Sequence, residues 1–265
     1  LIEHTNALRL INGEGDFLPG LICDLYNDKL SFQFNSLGLN LRKTFISNAA
    51  ALACTEILGV NIVSIFDRTA DKILELEGMT AQEFLVSGNP EPCSEIIENG
   101  YRFSVNLLEG QKTGFYTDQR ENRKALAKIL NGLTGYDLFC YTGGFTVNLA
   151  KNNQVTAVDS SIPALETAQK NLTLNGLSAK VIFQDVFTFL SKLKECDFIN
   201  ADPPKYIVNE KDRKSGIKHY SRLYTLCLEK IKNGGYLAAS SCSGLLNQED
   251  FFALLREAAI QTGNA

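Results

Sequence analysis

Three short runs in this 265-residue sequence place reactive side chains in turns where chemistry could be done. The first is Asp202-Pro203-Pro204-Lys205, directly after the apolar run Phe198 to Ala201. Two prolines there stiffen the backbone and remove two donors, so the Asp202 side chain and the nearby carbonyls face an opening. The second is Ser241-Cys242-Ser243-Gly244, a tight glycine-containing turn after the run Tyr236 to Ser241. A thiol between small polar residues at a strand end suits a nucleophile. At an ordinary thiol pKa of about 8.5 only a few per cent is thiolate near neutrality, so a positive neighbour would help, and Lys205 is the candidate. The third is Tyr141-Thr142-Gly143-Gly144, where the glycines let the backbone pass close to a ligand before a helix begins. Asp159 stands 22 residues after Asp137, at the end of the next strand, where a carboxylate can take both hydroxyls of a ribose. The third glycine of the dinucleotide fingerprint is missing, so there is no dedicated pyrophosphate cradle, and a nucleoside is favoured over NAD. Asp185, at a further strand end, either accepts from an adenine amino group or caps the helix after it.

These turns need a sheet to hold them. From about residue 118 the sequence alternates helix, strand, helix, strand, the signature of a parallel, doubly wound sheet whose ligands bind at the carboxyl ends of its strands. Asp118 with Glu121 reads as a capping box for a helix bearing Leu126, Ile129, Leu130 and Leu133. Strands are predicted over 136–140, 155–158, 181–183, 198–201 and 236–241. One helix has Pro163 near its first turn and stops at Asn175-Gly176; another, over about 220–232, stops at Gly234-Gly235. Before this lies a smaller mixed α/β unit. Residues 21–34 read as two strands around an Asn27-Asp28 turn. Residues 41–58 read as a helix with Leu41, Phe45, Ala49, Leu52 and Ala53 at helical spacing, and 61–66 as another strand. Residues 93–107 make a hairpin. The expected domains are 1–105, mixed α/β, and 106–265, the doubly wound sheet.

Composition narrows the class. Hydrophobic residues at 45% and charged residues at 21% exclude wholesale disorder, and no apolar run approaches the roughly 18 residues of a membrane span. Seven cysteines without a C-x-x-C pair, and only His4 and His219, argue against a zinc site or disulfide framework. The reading is of reduced thiols in a cytoplasmic protein, with Cys23, Cys54, Cys140, Cys196 and Cys227 buried like small hydrophobes. The net charge of −4 is divided unevenly: residues 1–100 carry 6 Lys/Arg against 14 Asp/Glu, and residues 101–265 carry 20 against 16. Residues 205–222 hold Lys205, Lys211, Arg213, Lys214, Lys218 and Arg222 against Glu210 and Asp212. This segment is either a solvated loop or a phosphate-contacting edge.

Taken together the segments NGEGDFLPGLICD (12–24), FDRTADKILELEGM (66–79), GQKTGFYTDQRENR (110–123), DLFCYTGGFTVNLA (137–150), AVDSS (157–161), ADPPKY (201–206) and SSCSG (240–244) are distinctive in combination. In that order they resemble the class I S-adenosylmethionine-dependent methyltransferases, and more narrowly the bacterial large-subunit (23S) ribosomal RNA cytosine-5 methyltransferases that carry an N-terminal PUA domain. The resemblance spans nearly the whole chain. It implies a Rossmann-like methyltransferase sheet, S-adenosylmethionine as cofactor, no metal and no membrane, and 23S rRNA as substrate, with a homodimer as the assembly considered. Asp137, Phe139, Thr142, Gly143 and Gly144 would line the methionine part of the cofactor, Asp159 with Ser160 the ribose, and Asp185 the adenine. Lys112, Thr113, Tyr116 and Gln119 would cover the cofactor, Asp202 would border it, and Arg120 and Arg123 would reach phosphates. Cys242 would add to C6 of the base, Asp202 would hold its N3/N4 edge, and Lys205 would assist. Nothing in the sequence corresponds to the family's PUA domain or to its last two strands, and the chain starts at Leu1 with Met79 its single methionine. The expectation is therefore a piece of a longer protein that binds cofactor but methylates RNA weakly without its PUA module.

The alternatives differ in chemistry. An amino-directed methyltransferase on guanine or adenine would use the Asp-Pro-Pro turn and need no cysteine. Uridine C5 methylation would use the same thiol. An NAD-dependent oxidoreductase lacks its third glycine, and a non-catalytic RNA-binding factor would have no use for Cys242.

Overall fold

Strand and helix alternate along most of the chain in a computed structural model that describes residues 4–80 and 83–263. It divides into two compact units, Leu1–Glu121 and Asn122–Ala265.

The first unit is built on a five-stranded mixed sheet in sequential order: β1 (Ala7–Asn12), β2 (Leu21–Tyr26), β3 (Lys29–Phe34), β4 (Ser64–Asp67) and β5 (Leu85–Gly88). The predicted hairpin forms, with Asn27 of its turn in the left-handed region. Between β3 and β4 lie a one-turn helix α1 (Leu37–Asn40) and α2 (Lys43–Ala53), which runs on into a π turn, Cys54–Leu58. Here the expected helix face is corrected. Leu41 and Phe45 are 76% and 74% exposed, and Ile46, Ala50 and Cys54 pack on the sheet instead. Ser36 caps the short α1 and the backbone leaves helical geometry at Arg42, so the chain restarts its helix with a different phase. After α3 (Asp71–Leu76), the predicted second hairpin is β6 (Cys93–Glu98) with β7 (Tyr101–Asn106). The capping box does not form. Thr117–Gln119 is a 3-10 turn, Asp118 pairs with Lys112 at 2.9 Å, and Glu121 pairs with Arg120 at the start of α4 (Arg120–Ile129).

The second unit is a Rossmann-like parallel sheet, ordered β10-β9-β8-β11-β12. Its elements are β8 (Thr134–Leu138), α5 (Gly144–Ala150), β9 (Gln154–Asp159), α6 (Ile162–Leu174), β10 (Lys180–Phe183), α7 (Val186–Lys192), β11 (Cys196–Ala201), α8 (Arg213–Leu228), β12 (Ile231–Ala239) and α9 (Gln248–Thr262). Ser161 caps α6, with Pro163 in its first turn. Leu138, Val158, Ile199 and Ala201 make a dry sheet centre, covered by Tyr220, Leu223, Tyr224, Leu254 and Ala258 of α8 and α9. Several boundaries differ from expectation: the strand expected over 136–140 is Thr134–Leu138, and that expected over 236–241 is Ile231–Ala239. The helix predicted over 220–232 begins at Arg213, and Gly234-Gly235 lies inside β12 rather than closing that helix. The register slips between Cys196 and Phe198, and a side chain at 235 would meet the carbonyl of Asp197 at 2.5 Å. The glycine pair therefore serves a β-bulge. No helix among the described residues is long and apolar enough to cross a membrane.

Candidate active site

Strand register brings the polar turns of the second unit to one edge. Leu138 pairs with Val158 on one side and Ala201 on the other, Phe183 pairs with Asp159, and Ala201 pairs with Ala239. Phe139, Asp159, Asp202 and Ser240 consequently follow their strands at the same carboxyl edge. The strand order reverses between β8 and β11, the place where open parallel sheets leave a crevice for ligands.

The turn after β8 is held from several sides. Phe139, Tyr141 and Gly143 all have left-handed backbones, with φ of 58°, 49° and 80°. Two non-glycine residues in this region signal a conformation fixed by its surroundings. The Asp159 carboxylate supplies part of that: its oxygens accept the backbone N–H groups of Tyr141 and Ser161, each at 2.9 Å. Buried Asn171 of α6 donates to the Thr142 carbonyl at 2.9 Å. A side chain at Gly143 would be strained, since its backbone is left-handed and a Cβ would sit 3.0 Å from that of Ala168.

Asp137 lies beneath the turn and is fully buried. It accepts from Thr146 Oγ1 at 2.5 Å and from Asn200 Nδ2 at 2.8 Å. Desolvation raises its pKa from 3.8 to about 6; the bonds from Thr146 and Asn200 oppose the rise, and the charge of Asp202 adds to it. The sign of the linkage follows. Between about pH 4 and 6 the folded carboxyl keeps a proton that the unfolded chain has lost, so stability falls as pH rises through this window, by about 3 kcal/mol in all. Asp137→Asn removes the titration. Its stability relative to wild type, from urea denaturation, should improve by about 2–3 kcal/mol between pH 4 and pH 7, and a difference independent of pH would show that Asp137 is not held this way.

Asp185 caps α7, its Oδ1 accepting from Thr188 N at 2.8 Å and Oγ1 at 2.9 Å. The capping role is real, yet Oδ2 keeps no partner among the described residues and stays open at the edge. Ser160 is exposed. The donor set suits a nucleoside: Asp159 uses one lone pair on each oxygen, Asp185 offers a whole oxygen, and Gly143 and Gly144 carry no side chain to cover the backbone before α5. S-adenosylmethionine has these groups and no pyrophosphate, so the residues present fit it.

The other two turns meet at β11 and β12. Ser240 N–H donates to the Ala201 carbonyl at 3.1 Å, and the Cys242 thiol donates to the Pro203 carbonyl at 3.7 Å. Cys242 is exposed, whereas Cys23, Cys54, Cys140, Cys196 and Cys227 are buried. Burial pushes the Cys196 thiol up to about 12 and that of Cys140 higher still, so neither is a nucleophile. Lys205 is exposed and makes no hydrogen bond or ion pair among the described residues. Within the basic segment Arg213 pairs with Asp250 of α9 at 2.5 Å, and Arg222 lies over the Phe187 ring at 5.2 Å. Lys214, Lys218 and Arg222 are exposed at a spacing of four on α8, a continuous basic stripe.

Lys112, Thr113, Tyr116 and Gln119 belong to the first unit. Thr113 is buried there, bonded to the Asp24 carboxylate and to Tyr26 Oη, while Lys112 lies over the Tyr116 ring at 4.3 Å. Arg123, on α4, is buried with its guanidinium over Phe145 at 5.9 Å. The residues that sequence reasoning missed are the buried polar partners Thr146, Asn171 and Asn200, and the tyrosines of α8 that reach the cysteine turn. Asn171 alone left a signal, as a polar residue beside Leu172 and Ala168 on the inward face of its helix.

Comparison with known proteins identifies the family and the fold. Residues 58–261 match the family described as S-adenosylmethionine-dependent methyltransferase. The chain is 33% identical over 270 residues to ribosomal RNA large subunit methyltransferase I of Erwinia tasmaniensis, covering 98% of this chain and 67% of that protein. It is 34% identical over 268 residues to the protein of the same name from Photobacterium profundum, covering 97% and 66%. The solved structure of SMU.776 complexed with SAH is 25% identical with a TM-score of 0.79, over 96% of this chain and 66% of that one. The chain thus spans about two thirds of the length of the proteins it matches. By sequence and by fold, it belongs to the S-adenosylmethionine-dependent methyltransferase family.

Proposed function

We propose that this chain carries the catalytic site of an rRNA methyltransferase acting on C5 of cytosine in the large-subunit RNA. The observation that carries the reading is the exposed Cys242 thiol at 3.7 Å from the Pro203 carbonyl, beside the Asp202 turn at the same sheet edge. The names of the two relatives supply the substrate class. Action on ribosomal RNA would place the protein in the cytoplasm.

C5 of cytosine is a poor nucleophile. The Cys242 thiolate would add to C6, forming an S–C6 bond and moving the C5–C6 π electrons toward C5. Bound S-adenosylmethionine would supply the electrophilic methyl group, leaving as S-adenosylhomocysteine. Once C5 is methylated, its proton passes to water and the S–C6 bond breaks, returning the electron pair to the Cys242 sulfur. Asp202 would accept from the exocyclic N4 amine and orient the ring. Uracil presents a carbonyl oxygen at that position, which a carboxylate repels, so the same residue favours cytosine. Phe139, Thr142, Gly143 and Gly144 would flank the methionine part of the cofactor with Asp137 beneath them. Asp159 and Ser160 would take the ribose and Asp185 Oδ2 the adenine amine. A base reaches such a crevice only when unstacked, and the basic stripe Lys214–Lys218–Arg222 would hold its flanking phosphates. Residues 1–100, with 14 acidic side chains, are a poor phosphate surface.

The test is to incubate the protein with 23S rRNA and labelled cofactor and to map the modified nucleotide. One 5-methylcytidine is the expected product. A methylated purine amine, or no label in RNA, would overturn the proposal.

A further inference from the structure

Tyr220 and Tyr224 of α8 are wholly buried, stacked one helical turn apart with ring centroids at 6.2 Å. Phenylalanine would fill that space equally well, so the hydroxyls need a separate account. Both are aimed at the cysteine turn. Tyr224 Oη donates to the Ser240 carbonyl at 2.5 Å, just before the turn. Tyr220 Oη bonds Ser243 Oγ at 2.8 Å, just after Cys242. Ser243 is itself buried, and its Oγ also accepts the backbone N–H of Ile207 at 3.2 Å. Ile207 ends the segment that begins at Asp202. The cysteine turn is therefore pinned on both sides of residue 242, and one serine hydroxyl ties it to the Asp-Pro-Pro turn.

We infer that Tyr220 and Ser243 are positioning residues, with Tyr224 in support, that fix the distance between the Cys242 sulfur and the Asp202 turn and so set the attack geometry on the target base. The inference rests on the reading of Cys242 as nucleophile. Neither residue touches the reacting atoms; they act through the two turns. Cys242 is exposed, and the bonds on either side of it fix the backbone that carries its sulfur. A misplacement of about 1 Å can cost on the order of 100-fold in rate, which gives such bonds kinetic weight beyond their stability.

The test compares Tyr220→Phe, Ser243→Ala and Ser243→Thr with wild type and with Cys242→Ala in the full chain. The substrate is a 23S transcript containing 5-fluorocytidine, on which a C6 adduct cannot be resolved by loss of the C5 proton. For Tyr220→Phe and Ser243→Ala the rate of covalent adduct formation, and kcat for methyl transfer to the unmodified transcript, should each fall about tenfold or more. KM for RNA and the cofactor Kd should stay within about twofold of wild type, and Ser243→Thr, which keeps the hydroxyl, should return to within about threefold. Two results overturn the inference: both variants reacting at the wild-type rate while Cys242→Ala is dead, or a rate loss matched by an equal loss of cofactor affinity. Full methyl transfer by Cys242→Ala would overturn the nucleophile reading itself, and the inference with it.

Discussion

Cys242→Ala should lower methyl transfer to 23S rRNA by on the order of 10³-fold or more while leaving cofactor affinity unchanged. The size of the effect follows from the chemistry of the base. Without the S–C6 bond, C5 keeps its aromatic electron distribution and the reaction must proceed on an unactivated ring. No other thiol of the second unit is exposed: Cys140 and Cys196 are buried with raised pKa values, and Cys227 is wholly buried within the sheet-and-helix core. Stability should change little, because Cys242 is exposed and its sulfur bond to the Pro203 carbonyl, at 3.7 Å, is weak. The measurement pairs radiolabel transfer with a denaturing gel for the 5-fluorocytidine adduct. Wild type should show a protein–RNA band that a thiol-free site cannot form, and Cys242→Ala should lose both signals together. If transfer survived while the adduct vanished, the enzyme would be methylating an exocyclic amine, where the Asp-Pro-Pro turn suffices.

What could be read from the sequence was the periodic part. Alternating strands and helices, the polar residue after each strand and the Pro163 and Asn175 boundaries of α6 are local signals, and the parallel sheet carries them as expected. The candidate residues Asp159, Asp185, Asp202 and Cys242 all stand at its carboxyl edge for the same reason. What could not be read is mostly long-range. Asn200 meets Asp137 across 63 residues and Ser243 meets Ile207 across 36, and neither partner is recognisable until the strands are laid side by side. The Leu41–Phe45 face was misjudged because apolar spacing shows that a helix has a stripe, not that the stripe is the one buried. Gly234-Gly235 misled in another way. A glycine pair after a helical pattern reads as a stop, and only the slip of β12 against β11 shows that it accommodates a close backbone approach within a strand.

A single glycine carries a comparable load at the site itself, and Gly216→Val is expected to be the most damaging substitution outside the reacting residues. Gly216 lies in the first turn of α8, where glycine costs about 1 kcal/mol in helix propensity relative to alanine. The compensation is space. A Cβ at 216 would fall 2.4 Å from Ile207 Cγ1 and 2.8 Å from the Tyr206 carbonyl oxygen. The isoleucine could rotate, but the carbonyl is backbone of the very segment that follows Asp202-Pro203-Pro204. Ile207 is fully buried and its N–H is committed to Ser243, so the segment cannot retreat without releasing the cysteine turn. Gly216→Ala sets a gain of about 1 kcal/mol in propensity against about 1–3 kcal/mol of overpacking, for a modest net loss of stability. Valine adds two further methyl groups and a stiff χ1, and a loss of about 3 kcal/mol is expected. The functional effect should exceed the stability effect, because the displaced segment bears Asp202 and abuts Cys242. Adduct formation should fall about tenfold in Gly216→Ala and be undetectable in Gly216→Val, at temperatures where both proteins are still folded by circular dichroism. Cofactor affinity should fall less than adduct formation, because the proposed contacts of Asp159 and of the Gly143-Gly144 turn lie outside the displaced segment. A Gly216→Ala protein with higher thermal stability and full adduct rate would mean that the Asp-Pro-Pro segment moves freely over α8, and that the helix does not set the site's geometry.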